Sequence, residues 1–130
     1  MSNNAKIFIL IICLLVLGVI TAVLLQPTVL PTAGPGKYDS FATCLKDKGA
    51  VFYGTFWCPH CQAEKKLFGV SQKLLPYVEC STPDGQGQTQ ICADNKITSY
   101  PTWTFADGTS LSGEISLQQL ADKTSCVLPQ

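Results

Sequence analysis

The chain has 130 residues, nine acidic and nine basic side chains, no arginine and a single histidine, for a formal net charge of zero. That length holds one small domain, and the absence of a basic excess argues against nucleic acid as a partner. Seven cysteines in so short a chain point instead to thiol chemistry, cross-linking or both.

From Ile7 to Leu25 the run "IFILIICLLVLGVITAVLL" carries no charge. As a helix rising about 1.5 Å per residue it matches the roughly 30 Å apolar core of a bilayer, so residues 7–25 read as a transmembrane anchor and residues 1–6 as a cytoplasmic N-terminus. A cleaved leader is the alternative. Leaders carry a shorter apolar stretch, about 7 to 15 residues, and a small-x-small cleavage site that "TAVLLQPTVLPTAG" lacks. Lys6 precedes the span and the next cation is Lys37, which by the positive-inside rule sets the rest of the chain outside the cytoplasm. Residues 26–36, "QPTVLPTAGPG", with three prolines and two glycines, read as a linker. Residues 37–130 remain as the domain.

"YDSFATCLKDKG" sets Phe41, Cys44 and Leu45 at helical spacing and ends on Gly49, a helix stop. "AVFYGTFW" is apolar without alternation, as in a strand covered on both faces. A helix from about Pro59 towards Phe68 follows, with proline in the first turn, where its missing N–H costs nothing. "LPYVEC" is a short strand, "STPDGQGQ" a polar loop and "TQICADNKI" a short helix. "PTWTFADGTSLSGE" alternates around Asp107-Gly108 as a hairpin, and Ser116 caps a last helix over "LQQLADKT". The order helix, strand, helix, strand, helix, hairpin, helix predicts an α/β fold with one central sheet flanked by helices.

Cys58-Pro59-His60-Cys61 lies where the first strand gives way to a helix. Cys58 falls at the helix N-terminus, where free backbone N–H groups and the macrodipole favour negative charge, which makes it the expected attacking thiolate. Cys61, one turn in on the same face and better shielded, is the expected resolving thiol. His60 offers a hydrogen bond or positive charge to the thiolate, which favours the reduced form and pushes the pair toward oxidase-like behaviour. The competing use is half of a zinc site. That needs two further ligands, and Cys80 and Cys92, eleven residues lying between them, do not form a second short-spaced pair. No metal and no cofactor is expected. Of the other cysteines Cys13 lies in the apolar span, and the rest form an even set, as expected in an oxidising compartment. Cys80 and Cys92 bracket the polar loop and are expected to bridge it, a link worth roughly 3 kcal/mol by chain entropy. Cys44 and Cys126 then pair by exclusion.

The succession of strand, "WCPHC", helix and an isolated X-Pro before a hairpin resembles the thioredoxin-like proteins. A narrower resemblance runs from Phe41 to about Ala121. "FATCLKDKGAVFYGTFWCPHCQAEKKLFG", "LPYVECSTPDG", "ICADNKITSYPTWTFADG" and "GEISLQQLA" look like the thioredoxin-like domain fused to, or paired with, bacterial vitamin K epoxide reductase homologues. It implies a membrane-anchored thiol-disulfide oxidoreductase with Cys58 and Cys61 as its redox pair. Its partners would be a vitamin K epoxide reductase-like membrane oxidase, which supplies oxidising equivalents, and exported cysteine-containing proteins, which receive disulfides. It also implies a cis bond at Tyr100-Pro101 facing the pair, with Trp57, Tyr100 and Pro101 docking an extended substrate; Phe56 and Trp103, beside strands, are expected in the core. An extracytoplasmic reductase or isomerase, and a non-catalytic binding module, are the alternatives. Two departures stand out. Phe52 occupies the position where thioredoxins carry a buried aspartate, leaving proton transfer to water or another group. Glu64 is a candidate, against the plainer expectation of an exposed helix glutamate. The epoxide reductase-like bundle itself is absent from the chain, so that partner would be a separate polypeptide.

Overall fold

The computed structural model describes residues 2–25 and 34–130, which form two units. Most of the predicted linker, residues 26–33, lies outside the described residues. The N-terminal unit is one helix, α1 (Asn3–Leu24), long and apolar enough to cross a membrane. Its single hydroxyl group, Thr21, is satisfied along the helix by the carbonyls of Leu17 and Gly18. Within the uncharged run from Ile7 to Leu24 that leaves no hydroxyl unpaired.

The second unit is a four-stranded sheet with helices against it: α2 (Asp39–Asp47), β1 (Val51–Gly54), α3 (Pro59–Leu67), β2 (Tyr77–Glu79), α4 (Gln90–Asp94), β3 (Thr102–Thr104), β4 (Ser110–Ser112) and α5 (Leu117–Thr124). Strand order is β2-β1-β3-β4, with β1 parallel to β2 and antiparallel to β3. This is the thioredoxin-like arrangement. The elements follow from local signals: Gly49 leaves α2 at a φ of 74°, Gly108 turns the β3–β4 hairpin at a φ of 80°, and Ser116 with Gln119 forms a reciprocal capping box on α5. A 3-10 turn at Gly69–Leu74 joins α3 to β2; "GVSQKL" has too few apolar positions to show a period.

β1 is buried on both sides, as its unbroken apolar run requires. Phe52 faces the larger core, stacked on Trp103 at 4.9 Å between ring centroids, alongside Phe41, Leu45, Phe68 and Leu120. Tyr53 faces the smaller cluster of Cys80, Cys92 and Ile97. Two disulfides brace these layers. Cys44 joins Cys126 with Cα atoms 5.9 Å apart, linking α2 to the segment after α5, and Cys80 joins Cys92 at 5.5 Å, closing the loop between β2 and α4.

Candidate active site

β1 delivers the chain to α3 through Thr55, Phe56 and Trp57, and Cys58 becomes the N-cap residue in extended conformation, with Pro59 opening the helix. The loop is held by Cys58 N–H donating to the Thr55 carbonyl at 3.2 Å and Gln62 Nε2 donating to the Phe56 carbonyl at 2.9 Å. Cys58 and Cys61 are free thiols, and both are buried, Cys61 completely. Burial pushes the Cys61 thiol up to about 12; a hydrogen bond from the Thr55 backbone and the Lys65 charge act in the opposite direction. Cys61 is therefore a neutral thiol in the reduced pair at neutral pH.

Tyr100-Pro101 is a cis peptide, and the Tyr100 carbonyl accepts from Cys58 Sγ at 3.8 Å, so the X-Pro segment and the first cysteine face one another across the site. Trp57 stands on the rim, about half exposed, with its indole N–H donating to Ser81 Oγ at 3.0 Å. Beside it lies a groove of about 180 Å³ whose lining includes Thr55, Trp57, Gln88 and Tyr100. Gln88 Nε2 donates to the Tyr100 hydroxyl at 2.6 Å, which ties the polar loop to the X-Pro segment. Thr55 Oγ1 is buried with no partner among the described residues.

Several expectations need correction or completion. Glu64 is not an exposed helix glutamate but is fully buried, its Oε1 accepting from Trp103 Nε1 at 2.6 Å and its Oε2 from Ile115 N–H at 3.0 Å. The reason is that α3 turns this face onto the sheet, where the indole N–H and the amide after the hairpin both require an acceptor. Burial raises its carboxyl above the usual range, against those two donors. With both oxygens so engaged, Glu64 is a strut between α3 and the sheet. Phe56, expected in the core, is about half exposed beside Trp57, whereas Trp103 is fully buried. His60 sits on the surface with Nδ1 2.6 Å from Glu114 Oε1, and no hydrogen bond joins it to Cys58 among the described residues. No group of three or more His, Cys, Asp or Glu residues suited to a metal ion occurs there either.

A cluster that the sequence did not reveal lies behind Cys61. Lys65 Nζ is seated 3.3 Å from the Tyr77 ring centroid, and the Tyr77 hydroxyl donates to Glu79 Oε2 at 2.7 Å. Glu79 Oε1 accepts from the amides of Phe56 and Ser81. Spacing held no signal for it, because its members come from α3 and β2 and meet only when both pack at Gly54. A Cβ on Gly54 would lie 2.9 Å from Cys61 Sγ and 3.1 Å from Tyr77 Cε2, so the absence of a side chain there is what lets the thiol and the ring approach.

A dithiol pair at a helix N-terminus, opposite a cis-proline segment on this sheet, is the constellation of thioredoxin-like redox centres. No family model matches the chain. It is similar to the thiol-disulfide oxidoreductase LTO1 of Arabidopsis thaliana, with 46% identity over 96 residues that make up 70% of this chain and 25% of the relative. The chain thus spans about a quarter of the length of that relative.

Proposed function

We propose that the protein is a membrane-anchored thiol-disulfide oxidoreductase that carries disulfides from a vitamin K epoxide reductase-like membrane oxidase to exported proteins. The observation that carries the reading is the asymmetry of the pair. Cys58 caps α3 and meets the Tyr100 carbonyl beside a groove, while Cys61 is enclosed one turn behind it. In the donor direction a substrate thiolate attacks Cys58 Sγ, the Cys58–Cys61 bond breaks, and its electron pair passes to Cys61. A second substrate thiolate then attacks the substrate sulfur of the mixed disulfide and expels Cys58 as the thiolate. The substrate leaves oxidised and the pair reduced.

Trp57 and Tyr100 form the docking rim in this reading; Pro101, whose side chain is fully buried, contributes through the cis bond that turns the Tyr100 carbonyl toward Cys58, and α1 anchors the domain on the extracytoplasmic side. The two bridges that are not part of the pair support an oxidising compartment, where such cross-links persist. The resemblance to epoxide reductase-associated domains supports the choice of partner, and the relative's name supports the chemistry.

The test is trapping. Cys61→Ala leaves the mixed disulfide without an internal thiol to release it, so complexes accumulate with Cys58→Ala as the blank. Non-reducing electrophoresis and mass spectrometry of the adducts should identify a polytopic quinone-linked oxidase together with exported proteins. Trapping of soluble reductants alone makes the protein a reductase or isomerase; greater trapping by Cys58→Ala reverses the assignment of nucleophile; no adduct from either variant leaves a binding module.

A further inference from the structure

Opening the Cys58–Cys61 disulfide leaves an electron pair on a sulfur that is fully buried. An isolated thiolate in such a place is costly, and the slower it forms, the slower the protein passes on its disulfide. The thioredoxin position for a buried acid is filled by Phe52, stacked on Trp103, and Glu64 spends both oxygens on Trp103 and Ile115. Neither serves Cys61.

The groups that act on it are the Thr55 backbone, Cys58 at the cap of α3 and Lys65 one turn further along that helix, with the Tyr77 ring of β2 beside it and Glu79 behind that ring. Lys65 lies four residues after Cys61, so the two share a face of α3. Its ammonium does not extend into solvent but sits over the Tyr77 ring, and the edge of that ring shares with Cys61 Sγ the space above Gly54. The ring in turn is pinned through its hydroxyl to Glu79, whose other oxygen holds the amides of Phe56 and Ser81. Ser81 also receives the Trp57 indole, so one chain of contacts runs from the docking rim to the back of the buried thiol. Half-buried ammonium over an aromatic face is a low-dielectric arrangement in which a charge acts further than it does in water.

We propose that Lys65, seated on Tyr77 and held by Glu79, is the positioning cation that stabilises the Cys61 thiolate released when the disulfide opens. The inference rests on the redox role given above to Cys58 and Cys61. In the opening step the incoming thiolate forms a bond to Cys58 Sγ, the Cys58–Cys61 bond breaks, and the negative charge that entered with the nucleophile ends on Cys61, one helical turn before Lys65 and against the edge of the ring that carries its ammonium. No further oxidant is involved. Burial makes Lys65 easier to deprotonate than a free lysine, while the Glu79 carboxylate and a Cys61 thiolate favour its charged form, so the cation is firmest when the thiolate exists.

The experiment is a stopped-flow measurement of dithiothreitol opening the Cys58–Cys61 disulfide in the oxidised full-length protein in detergent, near pH 7. Lys65→Met should open about three- to tenfold more slowly, because a leaving thiol made more basic by loss of the cation departs more slowly. Lys65→Arg, which keeps the charge, should stay close to wild type. In a Cys61→Ala background carrying glutathione on Cys58, where no Cys61 thiolate forms, Lys65→Met should have no effect. Circular dichroism checks the fold, and Lys65→Gln replaces the methionine variant if that one is unfolded. Equal rates for wild type and Lys65→Met overturn the proposal, as does equal slowing by Arg and Met or slowing that persists without Cys61. A wild-type disulfide that dithiothreitol does not open, or a glutathione adduct that forms on Cys61 rather than on Cys58, instead overturns the redox reading beneath it.

Discussion

The two structural bridges close loops of very different length, and that difference sets their worth. Cys44–Cys126 spans 82 residues of sequence and Cys80–Cys92 spans 12. In the chain-entropy treatment, restriction of the unfolded chain grows with the logarithm of loop length, giving about 4.5 kcal/mol for the first and about 2.8 kcal/mol for the second. Replacing each pair by alanine also leaves small voids. Cys80, Cys92 and Cys126 are all buried, so that penalty falls on both variants and does not reverse the order. At about 4–8 °C per kcal/mol for a domain of this size, Cys44→Ala with Cys126→Ala should lower Tm by about 18–36 °C, and Cys80→Ala with Cys92→Ala by about 11–22 °C. Urea titration followed by fluorescence of the buried Trp103, with the full chain in detergent, measures both free energies under one condition. A larger loss from the Cys80–Cys92 pair would refute the loop-length reasoning and assign the stabilisation to native-state contacts around the polar loop.

Glu64→Gln turns one of two occupied acceptors into a donor facing either the Trp103 indole or the Ile115 amide, which should cost roughly 1–3 kcal/mol in denaturant titration. The pH dependence has a definite sign. Because burial raises the folded-state carboxyl above its usual value, the folded protein holds that proton more tightly than the unfolded chain does. Stability from this group should therefore fall as pH rises from about 4.5 through the folded value, a slope that Glu64→Gln removes. Gly54→Ala should displace Cys61 or Tyr77 and cost about 1–3 kcal/mol, with thiol exchange at Cys58 slowed in the same protein. Ser81→Ala should free the Trp57 indole, seen as a shift in its fluorescence, and raise KM for a peptide disulfide exchange assay more than it lowers kcat.

The order of elements was legible because it depends on near neighbours: the apolar run of β1, Pro59 at the start of α3, the Asp107-Gly108 turn and the Ser116 cap each act within a few residues. The same local logic placed Cys58 at a helix N-cap and Cys61 one turn behind it. What the sequence could not decide lies between segments far apart in the chain. The six cysteines that follow the apolar helix allow many pairings, and only the packing of α2 against the chain after α5 brings Cys44 within reach of Cys126. Glu64 reads as a surface residue by composition, yet the sheet supplies two N–H donors that draw it inside, and His60 finds Glu114 across 54 residues. Lys65, Tyr77 and Glu79 form one cluster only because the parallel pairing of β1 with β2 sets Gly54 opposite Glu79 and brings Tyr77 beneath α3. Hydrophobic pattern and turn chemistry are local properties of the chain; burial and charge at a site depend on which distant segments the sheet order places side by side.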